Sequence, residues 1–298
     1  METWVLVTIL AAALQTLRFG LQKQLKGLGL STSGATFSRF IFAVPLAAAG
    51  CAVLMGLRGY PLPDLAPGFW LWVMMGGLGQ IIATFCTVAL FSERSFAVGI
   101  AFTKTETVQV AAFSMLLLGE AVSAPGLLAI LVGLVGVLLL SRPKGGWGAT
   151  GLFNRAMGLG LLAGGLFGLS AIGYRAATLA VPVDDPLFRA TFALMCVTGF
   201  QTLAMALWLR LREPGEITRV VSIWRATLWV GVTGVLGSLG WFTAFTLQNA
   251  AYVRSLGQVE LIFSLLVSIL IFKERASLRE LAGMALLALS IVGIVLAA

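Results

Sequence analysis

Apolar residues run along this chain in long blocks, not in alternation. Ten blocks can be read: roughly Thr3 to Gln22, Thr32 to Leu57, Pro67 to Phe91, Ser95 to Leu118 and Ala124 to Ser141, then Ala156 to Ala176, Pro186 to Leu209, Val221 to Leu247, Ala251 to Phe272 and Leu278 to Ala297. Each is about long enough to cross a bilayer as a helix at 1.5 Å per residue. Inside hydrocarbon only helices or closed barrels satisfy the backbone, and these blocks are too long and too uniform for barrel strands. The pattern predicts an all-α membrane protein of ten transmembrane helices. The connections Ser92-Glu93-Arg94 and Gln248-Asn249-Ala250 are very short, which makes the blocks they join antiparallel and leaves no room for an extramembrane domain. A basic, Gly-rich break at 142–155 divides the chain into five blocks over 1–141 and five over 156–298.

Composition excludes the soluble alternative. The chain is 59% hydrophobic and 11% charged, with mean hydropathy +1.00, whereas a soluble domain carries roughly 25% charged residues. The formal net charge of +8 could suggest nucleic acid, but no basic helix or aromatic-basic ribbon is present. The cations lie in the breaks instead. One side collects Lys23, Lys26, Arg94, Arg142, Lys144, Arg155, Arg210, Arg212, Arg219, Arg225, Lys273, Arg275 and Arg279; the other has little beyond Arg58, Arg175 and Arg254. Positive-inside bias makes the rich side cytoplasmic, which puts both termini outside, in a bacterial cytoplasmic (inner) membrane. The acidic start Met1-Glu2-Thr3 reads as a retained first helix and not as a cleaved signal. Cys51, Cys86 and Cys196 fall in apolar blocks without metal-like spacing, and there is no histidine. No metal and no cofactor is expected.

The two halves repeat. At a shift of 154 residues, Trp70 meets Trp224, Gly77 meets Gly231, Glu106 meets Glu260 and Glu120 meets Glu274. Glutamate is rare here, so the two glutamate matches carry the argument. Five helices per half make the second copy enter the membrane upside down, an arrangement many secondary transporters use. Leu118-Gly119-Glu120 followed by Gly126, Gly133 and Gly136, and Phe272-Lys273-Glu274-Arg275 followed by Gly283 and Gly293, resemble the drug/metabolite transporter superfamily, EamA type. The second copy has Lys273 where the first has Gly119. The resemblance implies two EamA-like repeats around a central cavity and export of amino acids, other metabolites or drugs.

Polar residues in lipid are costly and should face protein or water. Helical spacing groups Thr8, Gln15, Arg18 and Gln22; Gln80, Thr84 and Thr87; Thr103, Glu106 and Gln109 with Lys104 beside them; Ser238, Trp241, Phe245 and Gln248; and Arg254, Gln258 and Glu260. Glu106 is the principal candidate, either as the site for a substrate ammonium or a coupling proton, or as the mate of Lys104, an arginine or a backbone group. Glu260 has the same choice, with Arg254 and Gln258 at hand. Lys104 is a candidate for a substrate carboxylate, and Trp241 and Tyr174 for an aromatic wall. Arg39 and Arg189 read as gate or structural charges. Trp4, Trp70, Trp72 and Trp224 read as interfacial anchors. The glycine runs suit close helix packing, and Pro45 is placed to bend the second helix.

Three functions are open. The first is a secondary exporter of small, possibly aromatic, amino acids or related amphipathic solutes by alternating access. The second is a channel-like facilitator or a flippase for lipid-linked solutes. The third is an intramembrane enzyme, disfavoured because no Asp-rich metal motif, zinc site or Gly-x-Ser-x-Gly elbow occurs and Asp64, Asp184 and Asp185 lie in loops. The expected partners are a small-molecule substrate and the lipid bilayer, with a monomer sufficient and no nucleic acid.

Overall fold

A computed structural model describes residues 2–90, 102–140, 155–270 and 277–298. Arg94, Arg142, Lys144, Lys273, Glu274 and Arg275 lie outside the described residues. Every regular element among the described residues is an α-helix: α1 (Thr3–Gly27), α2 (Thr32–Ile41), α3 (Ala43–Arg58), α4 (Phe69–Leu90), α5 (Glu106–Leu118), α6 (Ala124–Leu140), α7 (Arg155–Leu179), α8 (Pro186–Arg212), α9 (Glu216–Ser222), α10 (Trp224–Leu247), α11 (Ala250–Leu256), α12 (Val259–Leu270) and α13 (Leu278–Ala297). Six described stretches are long and apolar enough to cross a membrane, namely Thr32–Arg58, Phe69–Thr87, Arg155–Leu179, Pro186–Arg212, Trp224–Leu247 and Leu278–Ala297.

Two of the expected single blocks are subdivided. The second breaks at Phe42, between α2 and α3. Pro45 explains the position: it has no N–H to give the carbonyl four residues back, at Ile41, where α2 ends. The ninth breaks at Gly257-Gln258, between α11 and α12. The described part of the fourth block has a matching interruption. Phe102 and Thr103 are helical, Lys104-Thr105 form a turn, and α5 starts at Glu106. Both interruptions close with a tight i to i−3 bond, Thr105 N–H to Phe102 O at 3.2 Å and Gln258 N–H to Ser255 O at 3.2 Å.

The chain forms two compact units, 1–77 with 173–247 and 78–172 with 248–298. The division passes through α4 and through α7, so each unit draws on both sequence halves.

In the first unit, α10 turns a glycine face toward α1 and α2. A Cβ on Gly240 would come within 2.8 Å of Ala11 Cβ, and one on Gly237 within 3.4 Å of Leu14 Cβ. The pairing runs antiparallel: higher numbers on α10 meet lower numbers on α1. Such small-residue faces let backbones approach where lipid supplies no hydrophobic drive. The start of α2 is tied down by residues far along the chain. Ser31 accepts from Gly34 N–H at 3.0 Å as N-cap, donates its backbone N–H to Glu216 Oε1 at 2.6 Å, and donates its hydroxyl to Glu213 Oε2 at 2.5 Å. The Glu216 carboxylate therefore sits at a helix N-terminus, where the dipole favours negative charge. Asp185 caps α8 and also receives Arg58 Nη1 at 2.5 Å. Trp70 and Trp224 are exposed as anchors should be, but Trp4 is buried and donates to Glu2.

In the second unit, Gly126, Gly133, Gly136, Gly283 and Gly293 lie at packing contacts, whereas Gly119 caps α5 in the left-handed region with open space around it. A Cβ on Gly136 would come within 2.8 Å of Gly283 O, one on Gly283 within 2.9 Å of Gly136 O, and one on Gly293 within 3.0 Å of Ala129 Cβ. Ser290 on α13 donates to Ala129 O at 2.6 Å. The numbers again run in opposite senses, so α6 and α13 are antiparallel. Gly126 leaves room for the Tyr252 ring, whose hydroxyl lies 3.0 Å from Ser123 Oγ.

Candidate functional site

The turn at Lys104-Thr105 and the turn at Gly257-Gln258 each deliver a glutamate to the first turn of the helix that follows. Glu106 opens α5 and Glu260 is the second residue of α12. A carboxylate in a first helical turn interacts favourably with the helix dipole. Each glutamate has an ion pair with a cation of the other segment. Arg254 on α11 places Nη2 2.5 Å and Nε 2.6 Å from Glu106 Oε1. Lys104 Nζ lies 3.0 Å from Glu260 Oε1. The two ion pairs are thus crossed between the sequence halves, and all four residues belong to the second unit.

Burial gives these pairs their weight. Glu106 is 5% exposed, and removing one member of a buried pair strands the other charge at a cost of several kcal/mol. Lys104 and Glu260 are somewhat more open, with side chains 17% and 19% exposed. Of the mates expected for Glu106, the structure places an arginine, Arg254, in the ion pair, and Lys104 pairs with Glu260. Lys104 stands in the turn before α5, where it is an electrostatic neighbour of Glu106 while its Nζ makes its ion pair with Glu260.

Polar neighbours surround the quartet. Gln109 donates from Nε2 to Thr105 Oγ1 at 2.8 Å and to Leu161 O at 3.4 Å. Glycines at 164 and 165 let α7 approach this strip, since a Cβ on either would meet Thr103 O or Gln109 Oε1. Gln258 is buried, and Nε2 makes only a long bond of 3.5 Å to Arg254 O. Among the described residues, its Oε1 and the Ser255 hydroxyl have no hydrogen-bond partner, and both residues line a small cavity with Thr107 and Ser290. Such a pocket suits an ordered water. Thr84 returns its hydroxyl to Gln80 O at 2.7 Å, so that stripe is in part satisfied within α4.

The remaining candidates lie in the first unit. Tyr174 is stacked on Phe242 with centroids 4.4 Å apart and receives Gln201 Nε2 at 3.2 Å. Trp241 is buried and stacked on Phe245 at 6.0 Å. Gln15 is half-buried on α1 and Arg18 is 4% exposed. Arg189 is a structural charge: its guanidinium donates to Val183 O and lies 3.9 Å from Asp184, which holds the loop before α8. Arg39 is different. It reaches Ser238 Oγ at 3.0 Å and has no carboxylate beside it among the described residues.

Sequence reasoning missed two features. One is the Ser31–Glu216 tie, for which no local signal exists across 185 positions. The other is the pair of helix interruptions, which the runs Thr103-Lys104-Thr105-Glu106 and Gly257-Gln258 could have flagged.

The comparisons bear on this geometry. Residues 154–296 match the EamA-like transporter family. That segment, just under half of the chain, is similar to the EamA-like transporters. The EamA-like match covers the segment that supplies Arg254 and Glu260 and agrees with the drug/metabolite transporter resemblance read from both glutamate–glycine motifs. The family is one of membrane transporters of the drug/metabolite type. A crystal structure described only as that of a protein matches over 99% of this chain and 97% of its own, with TM-score 0.73 and 17% identity. At that identity the likeness speaks for the fold. No curated protein matches the chain.

Proposed function

We propose that the chain is a secondary exporter of small amino-acid-like metabolites, working by alternating access between two inverted five-helix repeats, 1–141 and 156–298. The observation that carries the reading is the crossed exchange Glu106–Arg254 and Lys104–Glu260. Equivalent glutamates in the two halves are each neutralised by a cation from the opposite half, next to a break in a membrane-embedded helix. Discontinuous helices are where many transporters place substrate and coupling-ion sites. The antiparallel contacts of α6 with α13 support the inversion.

The chemistry follows from charge conservation. A solute bearing both an ammonium and a carboxylate can replace either protein partner without leaving a buried charge bare. Its ammonium takes the place of Arg254 or Lys104 at a glutamate, and its carboxylate takes the glutamate's place at the cation. Substrate entry then loosens the tie between the halves at little cost, whereas an empty carrier keeps its pairs closed. The end of α8 with Arg210 and Arg212, and α9 with Arg219, would lie at the cytoplasmic face.

The test is transport by purified protein in proteoliposomes against an amino-acid panel, with and without an imposed pH gradient. Saturable transport that falls about tenfold or more in Glu106→Gln and in Lys104→Gln is expected. Wild-type protein that moves no member of the panel, or variants as active as wild type, would sink the reading. Non-saturating conductance, or movement of a lipid-linked solute in its place, would transfer the chain to the facilitator or flippase class.

A further inference from the structure

We infer that Arg39 forms, within the first unit, a binding site for a small organic carboxylate. Among the described residues, no carboxylate neutralises the Arg39 charge. Nη2 donates to the neutral Ser238 hydroxyl at 3.0 Å, and the guanidinium carbon lies 5.3 Å from the Phe40 ring centroid. No ion pair to Arg39 exists among the described residues. Arg254 and Lys104, by contrast, each hold a glutamate.

Depth makes this arrangement costly. Ser238 stands 14 residues from the start of α10 and nine from its end. At 1.5 Å per residue, the guanidinium is about 13 Å along the helix from the nearer end. An arginine at that depth cannot simply reach the interface, and intramembrane cations mark substrate or ion sites by default. A second arginine stem comes close. A Cβ on Gly234 would lie 3.0 Å from Arg39 Cγ and 3.6 Å from Arg18 Cδ, so the two arginine stems pass the same glycine on α10. Glycine is what admits both.

The acids of this unit are engaged elsewhere. Asp185 caps α8 and holds Arg58, Asp184 faces Arg189, and Glu213 and Glu216 hold the start of α2. Glu2 receives Trp4, and Asp64 is exposed in the loop before α4. A guanidinium offers five N–H donors in a planar fork that fits a carboxylate with two parallel bonds. One hydroxyl leaves most of that fork unused. Arg39 is half-buried, which leaves it an open side. Tyr174, stacked on Phe242, is an electrostatic neighbour and gives the surroundings an aromatic wall. A carboxylate with an apolar or aromatic body meets these terms.

The site is read by binding alone, so it stands or falls independently of export. Full-length protein in phosphatidylcholine nanodiscs, which present no anionic headgroup, would be titrated with acetate, benzoate and phenylacetate, with benzamide as the uncharged control and inorganic phosphate as competitor. Saturable binding of at least one carboxylate is expected, with affinity about tenfold or more lower in Arg39→Gln, since bonds to a charged group are lost. If Arg39→Gln does not fold, Arg39→Lys serves instead: it keeps the charge, loses the fork, and should weaken binding about fivefold. Failure of all three carboxylates to bind, equal binding of benzamide, or unchanged affinity in the folded variant would overturn the site. Phosphate competing as well as benzoate would overturn its assignment to carboxylates.

Discussion

Glu106 and Glu260 occupy matching places in the two sequence halves, and each takes its counter-charge from the other half, Arg254 for the first and Lys104 for the second. The exchange makes one electrostatic unit of four residues, and its members should not behave independently.

Arg254→Gln alone strands the Glu106 carboxylate, which is 5% exposed. The expected loss of stability is about 3 kcal/mol. Glu106→Gln alone strands Arg254 at similar cost, whereas the double variant should lose much less than the sum. Unfolding measurements on the four proteins of this cycle check it, and additive losses would remove the coupling. Loss of Lys104 or Glu260 should cost less, about 1 to 2 kcal/mol, because that pair is the more open one.

Gly34 packs against the Glu216 side chain, and a Cβ there would drive into its carboxylate. Gly34→Ala should therefore cost about 1 to 3 kcal/mol through overpacking and a disturbed cap on α2. In a Glu216→Ala background the same substitution should cost almost nothing further. Thermal unfolding of the two single variants and the double variant decides the point. A full penalty in the Glu216→Ala background would show that the clash is not the cause.

The antiparallel contact of α6 and α13 can be read chemically. A Cβ on Gly133 would stand 3.0 Å from Ser290 Cβ, so Gly133→Cys with Ser290→Cys, placed in a chain whose three native cysteines are replaced by alanine, should cross-link on oxidation after a small adjustment. Gly133→Cys with Leu281→Cys should not. Equal cross-linking of both pairs would mean that the two helices do not hold this register.

Gly136 and Gly283 meet backbone to backbone. Gly136→Val is expected to destabilise by about 1 to 3 kcal/mol, more than the same change at Gly158, where a Cβ would meet nothing within 4 Å. Paired unfolding curves test the difference.

What the chain showed on its face, and what it hid, follows from the range of each signal. Long apolar blocks declare helices because lipid forbids an unsatisfied backbone, and Pro45 marked a bend whose position the missing N–H explains. The importance of Glu106 was legible because a carboxylate among apolar residues has few inexpensive reasons to be there. Its partner was not legible. Lys104 is the nearest cation in sequence, but in the turn before α5 it pairs with Glu260, and only the fold brings Arg254 across 148 positions. Arg39 and Arg189 look alike as letters. The structure separates them, one held by its own loop and the other left with a hydroxyl.

Because α1 packs on α10, α1 waits for a partner about 220 residues downstream, as Leu14 and Gly237 show. At ribosomal rates of 5 to 20 residues per second, that wait is roughly ten to forty-five seconds. Throughout that interval the nascent α1, with Arg18 in it, must be sheltered by insertion machinery or held near the headgroups until α10 has been made.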